Sequence, residues 1–321
     1  MNKYFLFAVF ILSVVVFAGC DLLFGASIES PIIQGLTLNN YPKVDGSTST
    51  APLNAIVACK VLGINYVWRW GYGDTRDSIL LDLDNRNTEK FWGKIKSSQT
   101  HQSFINLINK DADLILTARK MSVDEKADAD AAGINLIETP VALDAFIFII
   151  NEQNPVQSLT IKQVQDIYTG RITNWGQVGG NNEAINPYVR NANSGSQELM
   201  ETLVMKDLAI MDFPEDSSEL IFSMAGALDI VSHDPNSICY TLYYYKERMA
   251  TGAWNIKNLA INGIFPDWGT ISNKSYPYVA EIYAVIRSDL GESTMAYKLY
   301  EWLQTEAGKD AIYDSGYPPY Y

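Results

Sequence analysis

Three segments of the chain place small hydroxyl side chains where a helix is about to begin: Gly46-Ser47-Thr48-Ser49, Ser97-Ser98-Gln99-Thr100 and Ser194-Gly195-Ser196. A helix start leaves backbone N–H groups without intrahelical partners and carries about half a positive charge, and glycine lets the backbone come close. Each segment is therefore suited to an anion. Serine and threonine are also ordinary N-caps, so no one of the three says much alone. Arg190 adds weight to the third. It stands four residues before Ser194 in Arg190-Asn191-Ala192-Asn193-Ser194-Gly195-Ser196, where a turn can aim a planar fork of donors at the same point as the helix N–H groups. A surface arginine in a salt bridge explains the spacing equally well.

Other chemistry has little to work with. The chain has no phosphate-loop signature, no HExxH and no Gly-x-Ser-x-Gly elbow, and no cysteine or histidine spacing that would hold a metal. No cofactor is expected. The imidazoles are His101 and His233. His101 follows Thr100 at a helix start, where it can donate to an anion or cap the helix; His233 lies in the turn-like Ser232-His233-Asp234-Pro235-Asn236. A serine hydrolase would need one of them against Ser47 or Ser194, and nothing in the spacing asks for that.

Composition narrows the partners. Against 24 Lys and Arg stand 37 Asp and Glu, a net charge of −13. Nothing in that balance suggests a basic face for nucleic acid, so no nucleic-acid partner is expected. The same surplus repels small anions at long range, so an anion site must act locally through oriented dipoles and one or two fixed cations. With 47% hydrophobic and 12% aromatic residues the chain should fold, and 321 residues suggest about two domains.

The first residues read as an address. Lys3 precedes an apolar run from Tyr4 to Ala18, too short for a comfortable bilayer span, and Phe17-Ala18-Gly19-Cys20 resembles the lipobox of bacterial lipoproteins. That resemblance implies removal of residues 1–19, lipidation of Cys20, a tether over 20–36 and an extracytoplasmic protein anchored to a bacterial membrane. Cys59 lies in an apolar helical stripe and reads as a core thiol; a disulfide to Cys239 has no support in the sequence.

The elements that must position the hydroxyl segments follow an α/β rhythm. Pro52, the stripe Leu53, Ile56, Val57 and Val61, and then Gly63 predict a helix. Phe104, Ile105, Leu107 and Ile108 predict another, with a strand over 112–117. The continuous apolar run 145–150 is the mark of a strand covered on both faces. Thr160 with Gln163 makes a capping box for a helix that Gly170 stops. Alternating strands and helices give an α/β fold; residues 64–98 receive no assignment.

Taken together, the segments resemble a family. Tyr41 through Leu53, including Asp45-Gly46-Ser47-Thr48-Ser49-Thr50-Ala51-Pro52, resembles the first ligand loop of the phosphate-binding proteins of ABC transporters. Ser158 through Trp175, followed by Val178-Gly179-Gly180, and the Arg190-x-x-x-Ser194-Gly195-Ser196 loop are similar to that family too. The resemblance implies a type 2 periplasmic-binding-protein fold: two α/β lobes (37–142 with 240–321, and 143–239) around a ligand cleft that closes by a hinge. It implies that Thr48, Ser49, Thr100 and Thr117 bind from one lobe and Arg190, Ser194, Gly195 and Ser196 from the other, with Ser47, His101, Arg119 and Asp45 as further candidates. Where some phosphate binders carry an aspartate that accepts the ligand proton, Ala118 and Arg119 stand here. Asp45 is a possible substitute, or a cap of its own turn; Arg119, if it faces the cleft, would favour a dianion. The implied function is capture of inorganic phosphate for an ABC transporter permease, without catalysis. A binder or sensor of another oxyanion such as sulfate is the alternative, and an extracellular serine hydrolase the remote one.

Overall fold

The long strand Leu136–Asn151 is buried without a break over its last eleven residues, as an apolar run covered on both faces should be. The computed structural model describes residues 33–71, 75–213, 218–252 and 254–321; the signal segment, Cys20 and the tether as far as residue 32 lie outside the described residues. Ile33 and Leu36, assigned to the tether from sequence, are buried in the core, so the packed chain begins before residue 37.

A seven-stranded mixed sheet organises the chain. Its order is Val44–Gly46, Leu114–Thr117, Val279–Arg287, Leu136–Asn151, Ser237–Leu242 and Asn186–Pro187, with Ile256–Asn258 also on the long strand. The first two strands are parallel; Val279–Arg287 lies antiparallel between Leu114–Thr117 and the first part of the long strand. From Phe146 to Ile150 the long strand pairs instead with Ser237–Leu242. Two sets of partners thus occupy successive stretches of one strand, the arrangement expected where a chain crosses from one lobe to another. Past residue 240 the chain returns to the second set: Ile256–Asn258 pairs with Ile149–Asn151, and Ala260–Ile261 runs parallel to Ser158–Leu159.

The helices explain their own positions. Ala51–Leu62 has Pro52 in its first turn, is buried on nearly every face, and ends at Gly63, whose φ of 64° suits glycine. Ile161–Tyr168 starts with the Thr160–Gln163 capping box. Within 64–98, Tyr66–Trp68 pairs antiparallel with Ile79–Leu81, and Asn85–Lys94 is a helix capped by Asp84. The strands are too short to show a period, and the helix buries only Phe91, so no stripe marks it. Cys59 and Cys239 are buried free thiols. Among the described residues no helix is long and apolar enough to cross a membrane.

Candidate anion site

Arg190 closes the short strand Val189–Arg190 beside Leu220–Ile221 and is 6% exposed. Its backbone N–H donates to the Tyr240 hydroxyl (2.9 Å) and to Gln197 Oε1 (3.2 Å), and Tyr240 itself donates to Gln197. The guanidinium Nε donates to the Ile221 carbonyl (3.0 Å), while Nη1 is buried with no partner. Burial draws its pKa below the usual arginine value, although arginine stays charged in proteins. A desolvated cation with an unpaired donor is costly unless something anionic meets it.

Helix starts surround it. Asn193 takes the left-handed conformation (φ 63°) and turns the chain into Ser194, whose Oγ accepts the Gln197 N–H (3.1 Å) and opens the helix Gly195–Leu199, which continues to Met205 in wider turns. Opposite, Gly46 lies so close to the Leu116 carbonyl that a Cβ there would stand 2.3 Å from that oxygen. Ser47 N–H donates to the same carbonyl (3.0 Å), and Ser47 Oγ accepts the Ala118 N–H (3.0 Å) and meets Thr100 Oγ1 at 2.8 Å. Ser49 is 1% exposed with an unpartnered Oγ. Thr100 opens the helix Thr100–Ile108.

These groups line one cavity of about 180 Å³. Ser47, Thr48, Ser49 and Thr100 form one wall; Arg190, Ser194, Gly195 and Ser196 form the other. The walls touch. A Cβ on Gly195 would stand 2.4 Å from Thr100 Oγ1, so Gly195→Ala should hold the walls apart by a methyl group and weaken anion binding by about 1–3 kcal/mol, the usual range for overpacking. Titration calorimetry checks this; an unchanged dissociation constant would show that the observed approach is not needed for binding.

Four candidates from sequence do not line the cavity, and each has polar atoms engaged by other groups. Thr117 Oγ1 donates to the Arg119 carbonyl (3.0 Å). Arg119 is buried in a two-pronged pair with Glu125, 2.8 Å at each contact, and does not line the cavity. His101 Nδ1 meets Glu125 Oε1 (3.1 Å). Asp45 accepts from the Gly46 and Ser98 N–H groups and from Asn106 Nδ2, so it braces the loop rather than reaching the cavity. His233 Nδ1 sits 2.8 Å from the Asp229 carbonyl, so both imidazoles are engaged by groups other than the cavity serines.

The structure adds residues that sequence reasoning missed. Ser223, whose Oγ accepts the Gly226 N–H (2.9 Å), caps Met224–His233 and brings Met224 and Ala225 to the cavity as a fourth helix start. Ser223-Met224-Ala225-Gly226 has a single hydroxyl followed by methionine, so it lacks the clustered small hydroxyls of the other three segments. Gln99, at φ 71° and ψ 164°, holds a conformation almost reserved for glycine, strain of the kind that collects at ligand sites. Among the described residues no carboxylate lines the cavity, and no group of His, Cys, Asp and Glu could hold a metal.

Residues 76–307 match the family model of the PBP superfamily domain. The chain belongs to the PBP superfamily. Relatives in that superfamily include the phosphate-binding protein PstS of Borreliella burgdorferi, 24% identical over 215 residues that span 66% of this chain and 74% of the relative. PstS of Staphylococcus epidermidis is 24% identical over 292 residues, 88% of this chain and 80% of the relative. A crystal structure of a phosphate ABC transporter substrate-binding protein from Clostridium perfringens, described as putative and with bound phosphate, superposes with a TM-score of 0.63 at 22% identity, covering 88% of this chain and 100% of its own. The PBP-like fold thus accounts for the large mixed sheet and the cavity between two sets of helix starts.

Proposed function

We propose that this PBP-superfamily protein captures inorganic phosphate in the cavity around Arg190 and passes it to the permease of an ABC transporter. The observation that carries the reading is the buried Arg190 guanidinium, with Nη1 unpartnered, facing a cavity rimmed by helix starts and by the unpartnered Ser49 hydroxyl. A small tetrahedral anion satisfies all of these at once; fixed dipoles and one cation replace its water. The named relatives, phosphate-binding proteins at 24% identity, support the choice of phosphate. The site binds its anion and leaves it chemically unchanged: Ser194 and Ser223 serve as helix caps, and both imidazoles are engaged away from the cavity. The two walls belong to separate lobes that close by bending where the long strand changes partners. Thr117, His101, Arg119 and Asp45 support this site from behind rather than touch the ligand. Lipidation at Cys20 holds the protein outside the cytoplasmic membrane, near its permease.

Calorimetry on protein freed of ligand by unfolding and refolding tests the reading. Phosphate should bind at one site with a dissociation constant of about a micromolar or tighter. No heat with phosphate, or sulfate displacing it at equal concentration, would overturn phosphate as the cargo.

A further inference from the structure

Asp144 sits where the long strand changes partners. It lies opposite Ala280 and its neighbour Ala145 opposite Val279, whereas Phe146 already pairs with Leu242. The side chain is 1% exposed. Its Oδ1 accepts the N–H of Ala145 (2.8 Å) and of Tyr244 (3.0 Å), one on the outgoing strand and one just past the returning strand. Oδ2 is buried and has no partner.

The groups around it leave the charge uncompensated. Tyr243, Tyr244 and Tyr317 are raised by burial first, and the negative charge of Asp144 adds to it. The cation of this region, Arg248, acts on Tyr243 and Tyr244 and lies 3.7 Å from the Trp70 ring centroid; no ion pair between it and Asp144 is present. Ala280 faces Asp144 from the neighbouring strand, and the segment along the other edge supplies Pro318 and Pro319. From Asp144 a path leads to the anion. The Tyr244 ring stacks on Tyr317 with centroids 3.7 Å apart, and the Tyr317 hydroxyl donates to the Ser49 carbonyl (2.9 Å) at the cavity wall.

We propose that Asp144 is a positioning residue for anion capture, whose protonation, passed through Tyr244 and Tyr317 to Ser49, links closure of the lobes to pH. This rests on the phosphate-receptor reading. Bending between the lobes must change the backbone at 144–146 and 242–244, and with it both N–H donors to the carboxyl and the stacked Tyr244 and Tyr317 rings. Burial in the present arrangement pushes that carboxyl up to about 7. An opened hinge that admits water returns it toward the ordinary carboxylate range, so closure takes up a proton. Closure is then easiest with the group neutral and becomes harder as pH rises through the interval below about 7.

The experiment compares phosphate dissociation constants for the wild type, Asp144→Asn and Tyr317→Phe from about pH 5 to 8.5, with melting curves to confirm folding. The ratio of wild type to Asp144→Asn cancels the titration of phosphate itself. It should grow roughly fivefold or more as pH rises toward 7 and then level off. Tyr317→Phe should weaken binding and flatten that dependence without abolishing the melting transition. A ratio that stays constant across the range overturns the proposal. Should Asp144→Asn not fold, proton uptake on binding, measured in two buffers of different ionisation enthalpy, must be smaller for Tyr317→Phe than for wild type; equal uptake overturns it. No phosphate binding by any folded form would instead sink the receptor reading together with this one.

Discussion

Replacing Arg190 with methionine should weaken phosphate binding by about 2–5 kcal/mol, roughly thirtyfold to a few thousandfold. The buried guanidinium has one nitrogen on the Ile221 carbonyl and another with no protein partner, so the anion loses its cationic contact when the fork is removed. Methionine fills much of the same volume without a charge. The fold, relieved of a desolvated cation, should lose little stability or gain some. Calorimetry and thermal melting read the two effects separately. A variant that binds phosphate as the wild type does would remove Arg190 from the site, and one that fails to melt cooperatively would show that the guanidinium is structural.

With saturating phosphate, which holds the lobes closed around the buried carboxyl, Asp144→Asn should stabilise the protein at pH 8 by up to about 4 kcal/mol, taking a rise of roughly three pH units at about 1.36 kcal/mol each as an upper bound. The sign follows from the raised value. The wild type has its full stability below the unfolded carboxyl range near 4 and loses this contribution as pH rises through about 7, where the buried group must ionise. Asparagine is neutral throughout, so its advantage is small in acid, grows from about pH 4 to 7 and is flat above. Urea denaturation at several pH values measures the difference. A stability difference that does not change with pH would mean that Asp144 is not ionising inside the fold.

Much of the site is legible in the sequence because anion chemistry leaves local marks. Ser47 to Ser49, Thr100, and Arg190 with Ser194 to Ser196 share one pattern, and that pattern converges in space. The helix Ala51–Leu62 is equally legible, since Pro52, its stripe and Gly63 all agree. Reading fails where the decisive contact is remote. Thr117 and Arg119 stand beside the cavity in sequence, yet a local carbonyl takes the Thr117 hydroxyl and Glu125 from the following helix takes both Nη groups of Arg119. Ser223 has no arginine nearby to single it out from any other N-cap. The paired strands Tyr66–Trp68 and Ile79–Leu81 have three residues each, too few for alternation to show. In sequence Asp144 is one polar residue ahead of an apolar run, and only the strand pairing reveals where it sits.

The position of Val279–Arg287 between Leu114–Thr117 and the long strand constrains how the protein is made. A ribosome releases the two flanking strands more than a hundred residues before the one that must slot between them. Early segments therefore have no finished sheet to join, and contacts of such long sequence separation form slowly. If the chain is exported as proposed, that delay is protective: Val279–Arg287 locks its neighbours only after most of the chain has passed through the membrane.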